Sequence, residues 1–245
     1  MSRDTVGVIG TGLIGASIGL RARRNGAHVV GYDENDAALD AALTAGAIDE
    51  AVSRGALLAG ASTVVLAAPV DATVGEIGAL RESPEIPAAL VIDVSSVKVP
   101  IAAAAHGLAN FVGTHPMAGS ERSGAAAARA DLFDGKAWLY VPPGNTAVET
   151  RAREFIESMG ARPRAVDAHD HDRIVALTSH LPQLLAFAFA RRVLALGGAA
   201  QPMCGPVAQE LLRIGNSNHD MWDSIFAANR ANIEEELRLL MAELS

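Results

Sequence analysis

Thr5-Val6-Gly7-Val8-Ile9-Gly10-Thr11-Gly12-Leu13-Ile14-Gly15 opens the chain, and its reading decides the fold. Residues 5–9 form a short apolar run rich in β-branched side chains, the pattern of a strand buried on both faces. Three glycines follow at the spacing GxGxxG, directly after that strand and directly before a helical pattern from about Leu13 to Asn25. In this context each glycine meets a steric need: Gly10 allows a tight turn, Gly12 lets the backbone approach a pyrophosphate, and Gly15 lets the helix pack closely on the strand. Leu13 and Ile14 begin a helix whose amino-terminal amides face the phosphates. A second strand, His28-Val29-Val30-Gly31-Tyr32, ends at Asp33, where an acid accepts hydrogen bonds from both hydroxyls of an adenosine ribose. A carboxylate there also repels a 2′-phosphate, so NAD is expected over NADP.

Outward from this opening, strand-like runs alternate with helical patterns: residues 63–67, 90–94, 111–113 and 137–141, with a further strand expected from Arg162 to Val166. That alternation is the βαβ signature of an α/β fold with a doubly wound, Rossmann-type, mainly parallel sheet. From about Asp167 the pattern turns to helices only, at 169–196, 206–213 and 220–244. The expected organisation is a nucleotide-binding domain over residues 1–166 and a smaller all-helical domain over 167–245. The segment Leu184–Leu196 is apolar around most of its circumference, which predicts burial on all sides. A helical domain of about 80 residues cannot easily supply that alone, so a homodimer through the helical domain is expected.

Half of the 245 residues are apolar, enough for a sizeable core, and the formal charge of −8 without any Lys/Arg block argues against nucleic acid or an anionic membrane as partner. Only two lysines occur, Lys98 and Lys136. Cys204 is alone, which excludes an internal disulfide and fits a reducing compartment. No uninterrupted apolar run reaches the ~20 residues of a membrane span. The first strand begins too early for a signal peptide, so a cytoplasmic location is expected.

Chemistry concentrates at a few positions. Gly113-Thr114-His115-Pro116-Met117-Ala118-Gly119-Ser120-Glu121 places His115 at an expected strand end, with Pro116 stopping the strand. Beside a nucleotide-binding signature, an imidazole there suggests redox chemistry on a small molecule: His115 takes a proton while a nicotinamide takes a hydride from the same carbon. Asp93-Val94-Ser95-Ser96-Val97-Lys98 ends the fourth expected strand, where open parallel sheets place their ligands, so Ser96 either lines the crevice or caps a helix. Pro69, past the strand at 63–67, joins the expected cofactor-binding positions. Thr178-Ser179-His180-Leu181-Pro182-Gln183 lies within a helix that Pro182 is expected to kink; His180 either faces a site or is a satisfied core histidine. Arg213, ending an apolar helical turn, either caps its own helix or reaches an anion. His169-Asp170-His171-Asp172 contains metal-ligand residue types, but it opens a helix, where acids suit the dipole, and no further Cys/His set accompanies it; no metal site is expected.

Taken together, the GxGLIGxS opening, the Asp-x-x-Ser-Val-Lys strand end, Gly-x-His-Pro-Met-Ala-Gly followed by Ser-Glu-Arg-Ser-Gly, Asp131-Leu132-Phe133, the His-Asp before the helix, Ser-His-Leu-Pro and the Arg213 to Trp222 spacing resemble the prephenate and arogenate dehydrogenases over nearly the whole chain. GxGxxG is shared widely; the ordered set of His-Pro-Met-Ala-Gly, Ser-His-Leu-Pro and the late Arg and Trp is specific. The resemblance implies NAD-dependent oxidative decarboxylation of prephenate or arogenate in tyrosine biosynthesis, without a metal or a covalent nucleophile. It further implies that His115 accepts the hydrogen bond of the substrate's C4 hydroxyl and Ser96 bridges substrate and nicotinamide. Arg213 binds a substrate carboxylate, His180 and Glu121 line or order the pocket, and Trp222 packs near Arg213. Relatives often carry a second histidine at the position of Gln183, which leaves the choice between prephenate and arogenate open. No fused mutase or regulatory module is expected. The nearest alternative is a β-hydroxyacid dehydrogenase, but that class relies on a lysine in the first long helix of the second domain, and residues 169–196 contain none. A non-catalytic NAD-binding protein would have no need of His115, Ser96, His180 and Arg213 together.

Overall fold

The computed structural model describes residues 4–82, 89–119 and 122–244. Two compact units divide it, Met1–Ala168 and His169–Ser245. In the first, β1 (Thr5–Ile9), β2 (His28–Tyr32), β3 (Glu50–Ala51), β4 (Thr63–Leu66), β5 (Leu90–Asp93) and β6 (Phe111–Val112) form one sheet in the order β3-β2-β1-β4-β5-β6. Every pair is parallel. The chain winds outward from β1 to β3, then returns to β4 on the other side of β1, and that reversal opens a crevice at the carboxyl ends of β1 and β4. Helices α1 (Leu13–Arg24), α2 (Asp36–Thr44), α3 (Arg54–Gly60), α4 (Val70–Glu82) and α5 (Val99–Ala104) make the connections. Alternate strand residues feed two cores: Val6, Val8, Val29 and Ile92 pack into one, and Ile9, Val30, Val64, Leu66 and Val91 into the other. Burial on both faces is why these strands read as continuous apolar runs.

The remaining strands do not extend that sheet, contrary to expectation. β7 (Thr114–Pro116), β8 (Ala137–Tyr140) and β9 (Arg162–Ala165) form a separate three-stranded sheet in the order β7-β8-β9, with β7 antiparallel and β9 parallel to β8. The cause lies at Thr114, whose N–H and hydroxyl donate to the carboxylate and carbonyl of Asp93 instead of continuing the β5–β6 ladder. His115 is accordingly the central residue of β7, opposite Leu139, and not the end of a strand of the main sheet. Pro116 closes β7 opposite Trp138. Between β8 and β9 runs α6 (Thr146–Ser158), started by the Asn145 side chain, which accepts from Ala147 N–H.

In the helical unit, the single helix expected over 169–196 has three parts: α7 (Ala168–Val175), one π-helical turn (Ala176–His180) and α8 (Leu181–Ala195). Pro182 has no N–H, and its ring would crowd the carbonyl four residues back. The wider turn, in which Leu181 N–H donates five residues back to Ala176, accommodates it. Together these parts form a 28-residue helical run long and apolar enough on average to cross a membrane, which a count of uninterrupted apolar residues misses. The run buries His171, Asp172, His180 and Gln183, polar side chains that hydrogen-bond within the unit, as a core helix does. Within one chain α8 is covered on one face only: Leu181, Gln183, Ala186 and Ala190 are buried, whereas Leu185 and Leu194 are exposed. After α9 (Pro206–Ile214), the helix expected over 220–244 is broken at Asn229 into α10 (His219–Ala228) and α11 (Arg230–Glu243).

Candidate active site

The GxGxxG loop has the shape its spacing implies. Gly10 adopts φ +92°, and a Cβ there would lie 2.6 Å from the Ala67 carbonyl carbon. At Gly15 a Cβ would fall 2.0 Å from the Gly10 carbonyl oxygen, so α1 could not lie against β1 with any larger residue. Gly12 is different: nothing lies within 4 Å of its Cβ position. That open side leads to the start of α1, which has no side-chain cap, and half-buried Leu13 and Ile14 form its first turn. A phosphate fits such a helix start through the backbone N–H groups and the helix dipole. Exposed Pro69 lies just beyond Ala67 and Ala68, the residues that back Gly10. At the end of β2 the Asp33 carboxylate accepts from Thr11 N–H at 2.7 Å, Thr11 Oγ1 at 3.1 Å and Asn35 N–H at 3.0 Å. These bonds fix an acid beside the loop, where the ribose of an adenine dinucleotide would lie, and the residues present fit that cofactor.

The next strand end carries a buried ionic floor. Asp93 and Lys98 are 0% and 1% exposed, and Lys98 Nζ donates to Asp93 Oδ2 at 2.5 Å and to the Thr114 carbonyl at 2.6 Å. Asp93 also accepts from Thr114 N–H at 2.9 Å, and Trp138 Nε1–H donates to Thr114 Oγ1 at 2.8 Å. Phe133 packs on Trp138 with ring centroids 4.9 Å apart, so part of the Asp131-Leu132-Phe133 motif supports this floor. Half-buried Ser96 lies in the loop after β5, two residues before Lys98, and half-buried His115 lies in β7, next to Thr114. Lys98 is the N-cap residue of α5, so Ser96 does not cap that helix. Leu66 pairs with Asp93 in the β4–β5 ladder, which brings this strand end beside the glycine loop. Sequence reasoning passed over Asp93, Lys98 and Thr114 as functional residues. The available signal was a lysine, one of two in the chain, closing the Asp-x-x-Ser-Val-Lys segment.

In the helical unit, His180 ends the π turn and is 1% exposed. Its Nδ1 lies 3.0 Å from Asn229 Nδ2, and its ring meets Trp222 edge-on at 6.0 Å between centroids. Burial pushes its pKa down to about 4, against the opposing pull of Asp172, so the ring is neutral at neutral pH. Gln183 is buried and donates to the Ile214 carbonyl at 2.9 Å. Arg213 forms a two-pronged pair with Glu210, at 2.9 Å from Nε and 2.6 Å from Nη2, and holds the Glu210 carboxyl below the usual range. Both side chains are about half exposed. In the tetrad 169–172, His171 Nδ1 bonds Asp172 Oδ1 at 2.7 Å inside the unit, while Arg173 pairs with exposed Asp170. Glu121 lies outside the described residues. Asn229, passed over in the sequence, is the partner of His180.

Two family profiles divide the chain between them. Residues 18–164 match the nucleotide-binding domain of prephenate dehydrogenase, and residues 167–245 match the prephenate dehydrogenase dimerization domain. The chain is 35% identical to a probable prephenate dehydrogenase, NovF, of Streptomyces niveus, over 98% of this chain and 67% of that protein. It spans about two thirds of the length of this and two further curated prephenate dehydrogenases that it matches. Among solved structures, prephenate dehydrogenase from A. aeolicus in complex with hydroxyphenyl propionate and NAD+ superposes with a TM-score of 0.86 at 26% identity, covering 100% of this chain and 89% of that one. Synechocystis arogenate dehydrogenase gives a TM-score of 0.77 at 26% identity, covering 98% and 89%.

Proposed function

The chain belongs to the prephenate dehydrogenase family, and from that premise we propose that it oxidatively decarboxylates prephenate or arogenate with NAD, yielding 4-hydroxyphenylpyruvate or tyrosine. What carries this is one buried network of Asp93, Lys98 and Thr114 that joins the end of β5, whose following loop holds Ser96, to β7, which holds His115, beside a loop and an acid fitted to NAD. Bound NAD would supply the acceptor for the hydrogen that leaves ring C4 with its electron pair.

The side chains position and polarise. His115 accepts the hydrogen bond of the C4 hydroxyl and shares its proton as the C4–H bond breaks. The bond from the ring to its carboxylate then breaks, CO₂ departs, and the released pair completes the aromatic ring. The shared proton stays with the phenol oxygen, so the overall reaction consumes and releases no net proton. Ser96 bridges the substrate and the nicotinamide. In the helical unit, His180 and Trp222 contact the substrate, and Arg213 takes its side-chain carboxylate, exchanging Glu210 for it.

The Arg213 assignment tests the substrate side of this proposal. A guanidinium offers a carboxylate a two-pronged fork. The side-chain carboxylate survives the reaction, so this contact is equally strong in ground and transition states and appears mainly in KM. Arg213→Ala is therefore expected to raise KM for the cyclohexadienyl substrate at least about tenfold, as for loss of a charge-assisted bond, with a smaller change in kcat and KM for NAD unmoved. A lower melting temperature with KM unchanged would instead assign Arg213 to helix structure through Glu210.

We further propose that the helical unit self-associates. Leu194, Leu196, Met203 and Val207 are exposed large apolar side chains on and after α8, a concentration that a second copy would cover. Light scattering at micromolar concentration should give a dimer mass; a monomer mass would count against it.

A further inference from the structure

Asn229 occupies the junction between α10 and α11, the break that the helical pattern of the sequence does not show. Its backbone serves both helices: its N–H donates to Ile225 and its carbonyl accepts from Ile233 N–H. Its side chain is turned into the unit, and the residue is 3% exposed. Two of its three polar partners fix which end of the amide is which. The carbonyl of Asp172, an acceptor only, lies 2.7 Å from Nδ2, and Asn232 Nδ2, a donor only, lies 2.7 Å from Oδ1. The amide nitrogen therefore carries its first hydrogen to Asp172, and its second points at His180 Nδ1, 3.0 Å away.

A ring nitrogen that receives a hydrogen bond carries no proton itself. In a neutral imidazole the proton then sits on the other nitrogen, Nε2. Among the described residues, His180 Nε2 has no hydrogen-bond partner although it is buried. A buried N–H without an acceptor is costly, and an oxygen brought by a ligand relieves that cost. The other ionisable groups that act on the ring are His171 and Asp172, which are paired with each other at 2.7 Å. Burial keeps the ring uncharged despite Asp172, so it can give a hydrogen bond without giving up a proton.

We infer that Asn229 is a positioning residue that sets the tautomer of His180, presenting its Nε2–H as a donor to a carboxylate or carbonyl oxygen of the substrate. This rests on the reading of His180 as a substrate contact. It assigns His180 to recognition and leaves proton transfer to His115. The arrangement follows the general pattern in which the partner of one imidazole nitrogen decides what the other can do.

Long-range ¹H–¹⁵N correlation spectra of histidine-labelled protein, with His180 identified by its loss in His180→Leu, read the tautomer directly. The expected spectrum shows an unprotonated Nδ1 and a protonated Nε2; a proton on Nδ1 in the wild-type protein would overturn the inference whether or not any variant folds. Asn229→Asp replaces the donor with an acceptor and should move the proton to Nδ1. In kinetics it should raise KM for the cyclohexadienyl substrate at least tenfold, with KM for NAD unchanged and kcat changed less. The same substitution in a His180→Leu background should add little, because Asn229 acts through His180. His180→Gln, which keeps an N–H donor near the Nε2 position, should recover part of the affinity that His180→Leu loses. An unprotonated Nδ1 together with unchanged KM in His180→Leu would overturn the substrate contact, and with it the role given to His180 above, while the tautomer would stand on the spectrum.

Discussion

His115→Ala is expected to lower kcat by about 10²- to 10⁴-fold, the range for removing a positioned proton acceptor. Affinity for NAD should be retained, because the glycine loop and Asp33 lie on other strand ends. The loss should fall on kcat, since the imidazole accepts the hydroxyl's hydrogen bond as the C4–H bond breaks. The β7–β8 pairing runs through the backbone of residue 115, so the Ala variant should still fold. Steady-state kinetics, together with calorimetry, check this, and an Ala variant with near wild-type turnover would remove His115 from the chemistry.

Lys98→Met should be the most destabilising of the site substitutions. Lys98 and Asp93 are both buried, and breaking such a pair by removing one partner leaves a charge without compensation, typically at a cost of about 3–5 kcal/mol. For a unit of this size that is roughly 6 to 20 °C in melting temperature. The Thr114 carbonyl also loses its donor, so the strand carrying His115 is held to the end of β5 only through the Thr114–Asp93 bonds, and kcat should fall beyond what the loss of folded protein explains. Adding Asp93→Asn removes the stranded charge and should restore much of the stability but not the rate. A Lys98→Met protein melting within about 2 °C of wild type, well under the shift a buried pair implies, would show that the pair contributes little.

How far the sequence carried depended on where each residue's partners lie. The glycine loop and Asp33 were readable because their constraints are local. Each glycine answers to a neighbouring turn or strand, and Asp33 is bonded by Thr11 and Asn35 within the same βαβ unit. The division of the strands into two sheets was not readable, because Phe111-Val112-Gly113-Thr114 looks like one run and the break is imposed by Asp93, 21 residues earlier. Asn229 was hidden for a similar reason. Apolar periodicity continues across residues 220–244, while the helix break coincides with a contact to Asp172, 57 residues away. The apolar circumference of Leu184–Leu196 was read as more than one helical domain can bury, and within one chain only one face of α8 is covered. His180 was left between core residue and site residue, and the geometry unites the two: one nitrogen is satisfied inside the core and the other is without a partner.

The most direct test is the stoichiometry of the reaction catalysed by the purified protein, supplied with NAD and either prephenate or arogenate. Reduced nicotinamide, CO₂ and the aromatic product are measured in the same samples. With at least one of the two substrates the three should appear in equal amounts, with NAD preferred over NADP at least about tenfold in kcat/KM, as expected when a carboxylate faces the ribose. Reduced nicotinamide without CO₂, or no turnover with either substrate, would contradict the proposed activity.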